Sequence, residues 1–519
     1  MKRIYLGLFL LAFITLLLEL ALLRVFDVIL YSNISYLVIT SALFCFGLAG
    51  VYSSLNPLSK SENIRKYVAK LSILFSISAI IILPIMNILP FDYGQVTKEP
   101  ITQLFAFLAM YFFLALPFFF AGLIFTSIFS FYSDKIQNLY FWDLSGAALG
   151  SILIIPFIPI IGPGGVLFIV SGLAIFTSGL FSNSKNWTII SIIISLILIA
   201  IPFTKDGYYD FNEHANKRDV RKAENLGRIE LTYWDPISKI DIVNNPKHNY
   251  KHIAYDGGSQ SSFIYPFDGD FISLRKELPD SVINHFWSRG VLASHYLKEN
   301  SNQNVLIIGS AGGQETKAAL TYGAKHIDAV EMVRKVVKLG KLRYSKFNGN
   351  IFNNPRVNCF AGEGRSYLRS TSKKYDIIQI FSNQTSSSIA AGTGAMATTY
   401  LQTAEAYQEY FNHLTLDGIL HINHHIYPKE ISTAALAWKE LGKKDFKKHV
   451  IVYERMNIQD NLPTLLIKMT PWMQYELDRL NDFFSMKTNE TRYNWVYQLV
   501  VDPLHKENNF LSENFLAVI

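Results

Sequence analysis

Apolar residues crowd one end of this chain, and that placement limits its folds more than any other feature. Runs long enough to cross a bilayer lie at Ile4–Leu23, Ile34–Leu55, Val68–Leu89, Ile101–Phe131, Leu144–Ile161, Gly165–Phe181 and Trp187–Phe203. A crossing needs about 20 apolar residues, so residues 1–204 read as a helical membrane domain of about seven spans. The first run ends without a small-residue cleavage site and more spans follow it, so it reads as a span rather than a removed signal. Ile101–Phe131 is too long for one perpendicular crossing, and Pro117 is expected to kink a tilted helix there. Half of the 519 residues are hydrophobic (50%). Outside the apolar region the composition is that of a water-soluble protein with room for one or two domains.

Charge bears on sidedness and on partners. Lys2 and Arg3, with Lys60, Arg65, Lys66 and Lys70 in the second connection, argue that both segments are cytoplasmic. An odd number of spans would then put the C-terminal half outside, where nucleoside cofactors are scarce. The expectation is therefore a cytoplasmic soluble half at the plasma or inner membrane, with one run, the Gly/Pro-rich Leu144–Gly165, not fully crossing. Glu19, Arg24, Asp27 and Asp143 lie in or beside spans, where they either line a polar pocket or pair between helices. Gly146–Gly150 is a small-xxx-small face suited to helix packing. The net charge is +7, but no basic block with interleaved aromatics stands out, so the expected partners are a bilayer and a small-molecule or lipid acceptor, not nucleic acid. Cys45 and Cys359 sit in apolar settings and support neither a disulfide framework nor a cysteine metal site.

The soluble half divides into a linker (205–227), a β-rich subdomain with a connecting helix (228–300), a Rossmann-like domain (301–470) and a helical tail (471–519). Its centre is Val305–Glu331. Val305–Ile308 is a short apolar block typical of a buried parallel strand. Gly309-Ser310-Ala311-Gly312-Gly313 follows, then a helix from Gln314 and a second strand, His326–Val330, ending in Glu331. Small residues let the backbone approach a ligand at a helix N-terminus, and an acid ending the second strand can accept both ribose hydroxyls. Strands and helices then alternate to about Met469, which implies a doubly wound, mostly parallel sheet with ligands beyond the carboxyl ends of its strands.

At these residues the chain resembles the spermidine synthase-like branch of S-adenosylmethionine-dependent enzymes, whose core is the seven-stranded class I methyltransferase fold. The resemblance covers about 228–425, and the hydrophobic N-terminus, including Tyr140–Gly150, looks like that of the branch's membrane-bound members. It implies S-adenosylmethionine or its decarboxylated form as co-substrate. Gly309, Ser310, Ala311, Gly312 and Gly313 would hold its methionine part, Glu331 its ribose, and Glu363 before Gly364 its adenine amino group. Gln260, of the turn Asp256-Gly257-Gly258-Ser259-Gln260, would face the cofactor.

The departures concern the acceptor. Where the family ends its fourth strand with D-[ST]-[ST]-D-P, this chain has Phe381-Ser382-Asn383-Gln384-Thr385, without either carboxylate. The family's Tyr-His-Glu is also unmatched, and the Asp of its glycine turn is Gly312. A cationic polyamine needs carboxylates, and its ammonium must lose a proton before attack. Ser382, Asn383 and Gln384 are the candidates to hold an acceptor; as a polar loop they could equally cap the next element. Glu315 is either an acid near the sulfonium or a helix N-terminal acid. His421, His424 and His425 do not make a metal site on their own, and Tyr400 and Tyr407 read as core or helix-surface aromatics. Three functions follow: an alkyl transferase acting on an acceptor reached from the bilayer; a true aminopropyltransferase with a rebuilt amine site; or a non-enzymatic membrane protein that senses a ligand or serves transport.

Overall fold

A computed structural model describes residues 1–30, 32–57, 63–204, 218–258, 260–278, 280, 282–301, 303–381, 401–424, 427–456, 462–486 and 496–504. The backbone separates into two compact units. The first comprises Met1–Gly227, Thr232–Lys239 and Asp256–Ser259; the second comprises Arg228–Leu231, Ile240–Tyr255 and Gln260–Ile519.

The first unit contains α1 (Lys2–Ile29), α2 (Ser32–Leu55), α3 (Ile64–Ile88), α4 (Pro100–Phe131), α5 (Ile136–Phe181) and α6 (Lys185–Ala200). Among the described residues, six helices are long and apolar enough to cross a membrane. The expected seven runs give six helices because Leu144–Ile161 and Gly165–Phe181 join in α5, which breaks at Gly162 (φ 66°, ψ 167°). A positive φ suits glycine, and Pro163 beside it has no N–H to continue the ladder.

The break divides α5 into two arms with opposite directions. A Cβ on Gly146 or Gly150 would lie 2.1 or 2.6 Å from the carbonyl oxygen of Phe9 or Phe13, so the first arm packs tightly on α1 and runs the same way. In the second arm Ser171 meets Ser76 of α3, Oγ to Oγ 2.6 Å. Arg65, at the start of α3, donates from Nε to the Phe181 carbonyl at 3.1 Å, and the Phe181 ring closes over Gly7. The second arm therefore returns to the end of the bundle where α1 begins. Helix α6 then leaves antiparallel to it, with Gly179 against Ser191 and Gly172 against Ser195 and Ile199. Both arms run along the bundle. The chain leaves α6 at the end opposite its N-terminus. Arg24 is paired, donating to Asp27 at 2.7 Å and to Asp256 at 2.9 Å.

The strands among the described residues form two sheets. β1 (Ile229–Trp234), β2 (Lys239–Asn245), β3 (Tyr250–Tyr255) and β4 (Gln260–Ile264) lie in sequence order. The larger sheet holds β5 (Asn304–Ile308), β6 (His326–Glu331), β7 (Val357–Ala361), β8 (Tyr375–Phe381), β9 (Leu414–Asn423), β10 (Val450–Met456), β11 (Thr464–Lys468) and β12 (Val496–Val501) in the order β12-β10-β11-β9-β8-β5-β6-β7. The five strands from β9 to β7 are parallel, and β11, β10 and β12 add antiparallel pairs. The central strands are covered on both faces: Val305 and Ile307 enter one core while Leu306 and Ile308 enter the other, the period-two alternation of a buried strand. In the stretch read as a helical tail, the helix Gln474–Ser485 is followed by β12, an eighth strand pairing with β10.

Candidate functional site

Three strand ends of the parallel sheet build the site. After Ile308 the chain turns at Gly309 (φ 84°), whose N–H and that of Ser310 donate to the Val330 carbonyl at 2.8 and 3.1 Å. Gly312 donates its N–H to Ser262 Oγ at 3.2 Å. A Cβ there would lie 2.2 Å from the Phe263 carbonyl oxygen, so only glycine fits. Gly313 (φ 87°) precedes the helix Gln314–Thr321. The backbone is thus bare where a ligand would approach the turn.

Glu331 ends β6 and is 6% exposed. Its Oε2 accepts the Ala311 N–H at 3.0 Å and its Oε1 the Val333 N–H at 2.9 Å. A carboxylate has about four acceptor positions, so these amides leave room for a ribose hydroxyl. Burial pushes this carboxyl up, opposed by the amides of Val333, Ala311 and Met332. Glu363 caps the helix Gly364–Ser370, accepting the N–H groups of Arg365 at 3.0 Å and Ser366 at 2.7 Å. Gly364 touches the end of β5, since a Cβ would lie 2.4 Å from Ile308 Cγ2. The glycine turn, Glu331 and the Glu363–Gly364 turn therefore lie on one edge, and bare backbone plus a fixed carboxylate with spare lone pairs suits a nucleoside ligand. Gln260 opens β4 opposite Tyr255. Ser382, Asn383 and Gln384 lie outside the described residues.

Glu315 is buried (4% exposed) in the first turn of the helix after the glycines. Burial pushes its carboxyl up to about 7, and the charge of Glu331 adds to this. Lys317 is held near the rings of Phe286, Tyr265 and Phe267 at 5.0, 5.5 and 5.5 Å, and burial lowers it to about 7.

A second group stands at the end of β9; the sequence reading singles out His424 and Tyr407 there, but not Glu430 or Gln402. Glu430, 2% exposed, accepts from Gln402 Nε2 at 3.0 Å on Oε1, with His424 Nδ1 at 3.4 Å. Its Oε2 and the hydroxyl of fully buried Tyr407 have no hydrogen-bond partner among the described residues. The only sequence sign was an acid in a first helical turn, which ordinarily reads as dipole stabilisation. His421 instead faces the interior, Nδ1 to Ser294 Oγ at 2.8 Å. His425 lies outside the described residues, and among the described residues no three metal-ligating side chains gather.

Residues 289–451 match the spermine/spermidine synthase domain family. A polyamine aminopropyltransferase of Clostridium perfringens is 33% identical over 127 residues, 24% of this chain and 41% of that protein. One of Thermoplasma acidophilum is 32% identical over 89 residues, 17% of this chain and 32% of that protein. The chain thus spans well under half the length of these relatives. The crystal structure of spermidine synthase from Thermotoga maritima aligns at 17% identity and a TM-score of 0.34, over 56% of this chain and 86% of that one. The resemblance to spermidine synthases holds over residues 289–451, and the apolar helices lie outside the match.

Proposed function

We propose that this chain is an integral-membrane transferase that uses S-adenosylmethionine or its decarboxylated form. The observation that carries this reading is the glycine turn fixed to Glu331, a carboxylate with lone pairs to spare, within a spermine/spermidine synthase match. When bound, the sulfonium supplies an alkyl carbon already attached to a good leaving group. The chain's own task is to hold the nucleoside and align the acceptor. An acceptor nitrogen would form the new N–C bond as the C–S bond breaks, the bonding pair leaving with sulfur and one proton leaving nitrogen. Binding of methylthioadenosine to the wild type and its weakening in Glu331→Ala test the reading.

A specific observation favours aminopropyl over methyl transfer. Glu315 and Glu331 both lie buried by the turn; burial raises the carboxyl of Glu315, the charge of Lys317 opposes this and that of Glu331 adds to it. Acidic surroundings suit the decarboxylated cofactor, which carries two positive charges and no carboxylate, better than the intact one.

The transferase reading requires the soluble unit to face the cytoplasm, where the co-substrate is made. Because α6 ends opposite the N-terminus, Met1 would then lie outside. The N-terminal end of the bundle carries Lys2, Arg3, Arg65, Lys66, Lys135 and Lys185, a bias that ordinarily marks the cytoplasmic side. The side of the soluble unit therefore separates the transferase from the non-enzymatic, ligand-sensing reading.

A further inference from the structure

One arginine of the helical bundle reaches a turn of the small sheet. Arg24 lies near the C-terminal end of α1, and its guanidinium donates to Asp27 on the same helix at 2.7 Å and to Asp256 at 2.9 Å. Asp256 follows Tyr255, the last residue of β3, at the tip of the β3–β4 hairpin. Its Oδ1 also accepts the Lys239 N–H at 2.9 Å. A second turn of the same sheet is held as well: the Trp234 ring stands against Gly162, where α5 breaks, 3.5 Å from the place a Cβ would take. These contacts all belong to the first unit, which includes Thr232–Lys239 and Asp256–Ser259.

The strands of that hairpin serve the glycine turn. Ser262 on β4 accepts the Gly312 N–H at 3.2 Å, and the Phe263 carbonyl closes over Gly312 so tightly that a Cβ there would lie 2.2 Å from its oxygen. Burial pushes the Tyr255 hydroxyl well up, and the charges of Glu331 and Glu315 add to this, so the phenol stands in the field of both acids. We propose that Arg24 is a positioning residue for nucleoside binding: by holding Asp256 it fixes the hairpin that packs on the glycine turn. This rests on the reading that the Glu331 edge binds a nucleoside, and it gives the membrane helix α1 a part in that binding.

Neutralising a charge in the bundle would need less than this. Asp27, one turn along α1, already gives the guanidinium a counter-charge. The second branch of the fork goes to a different element, and the side chains of Arg24, Asp27 and Asp256 are only 14%, 16% and 12% exposed. A planar guanidinium holds both acceptors in fixed directions, so a shift of α1 carries Asp256 with it. The paired strands follow as a unit, since the ladder joins Tyr255 to Gln260 and Ile253 to Ser262. Displacing the tip therefore changes where Ser262 and Phe263 meet the glycine turn, and a misplacement of about 1 Å is enough to damage a preorganised site. Linkage makes the coupling reciprocal: a nucleoside that tightens the turn also tightens the tip.

Amide hydrogen exchange and titration with methylthioadenosine, on the full chain in detergent, test this for the wild type, Arg24→Gln, Arg24→Lys and Asp256→Asn. Arg24→Gln should speed exchange over residues 250–264 and at Gly312 before any nucleoside is added, and should weaken the nucleoside by about fivefold or more. Asp256→Asn should act alike, and the double variant should be no worse than either single one, because both changes break the same contact. Arg24→Lys should recover part of the loss. Asp256→Asn decides the matter should Arg24→Gln fail to fold. Wild-type affinity and wild-type exchange at Gly312 in the folded variants overturn the proposal, even if residues 250–264 loosen, since that is what a merely structural tie would do. Faster exchange at Gly312 in Arg24→Gln, alongside a wild type that binds no nucleoside, would keep the hold of Arg24 on the turn and remove the nucleoside reading.

Discussion

Ala311 donates its backbone N–H to Glu331 across the glycine turn at 3.0 Å. The acid that ends the second parallel strand is thus tied to the turn that follows the first, and the two cannot move independently. Glu331→Ala should weaken binding of methylthioadenosine by about 1.5–3 kcal/mol, the scale of hydrogen bonds to a charged group. Titration calorimetry reads the change, and equal affinity in a folded variant would remove Glu331 from the site.

Gly312 offers a steric prediction. Alanine there would push a methyl group to 2.2 Å from the Phe263 carbonyl, a backbone atom that cannot swing aside. Gly312→Ala should cost about 1–3 kcal/mol of stability, as overpacking does, and should reduce nucleoside binding. A variant with wild-type melting temperature and affinity would show that β4 and the turn have more room than the structure gives them.

Two buried histidines give the soluble unit an acid sensitivity. His295 is bonded to Gln379 at 2.8 Å and His421 to Ser294 at 2.8 Å. Burial lowers them to about 4 and about 3. Unfolded, each titrates near 6.5, so below about pH 6.5 the unfolded chain takes up protons that the folded one refuses. Stability is therefore full above that pH and is lost as pH falls towards the folded values, by up to about 1.4 kcal/mol per pH unit for each histidine. His421→Gln should remove one such contribution from the pH slope of urea unfolding. An unchanged slope would mean that His421 does not stay neutral in the folded chain.

The bundle makes a prediction about sides. With α5 folded back at Gly162, reporters fused before Lys2 and after Phe203 should report opposite faces of the membrane. The transferase reading further expects the Phe203 fusion to be cytoplasmic. Two reporters on the same face would contradict the path of α5, and a Phe203 fusion outside would favour the ligand-sensing reading.

Much of the soluble half was legible in the sequence because its signals are local. Val305–Ile308 followed by small residues marks strand and turn, and Glu331 falls where the second strand must end. What escaped depended on direction or distance. An apolar run has length but no heading, so the return of α5 past Ser76 and Arg65 could not be read from hydropathy. Val496–Val501 is a short apolar block that gains meaning only from its pairing with β10. Glu430 sits in an unremarkable helical turn, and Gln402, which donates to it, lies 28 residues earlier in the chain.

Calorimetric titration of the purified full chain with methylthioadenosine, decarboxylated S-adenosylmethionine and S-adenosylmethionine tests the central claim most directly. The account predicts that the wild type binds the nucleoside ligands, prefers the decarboxylated form over the intact one, and loses affinity in Glu331→Ala. A folded wild type that binds none of the three would contradict it.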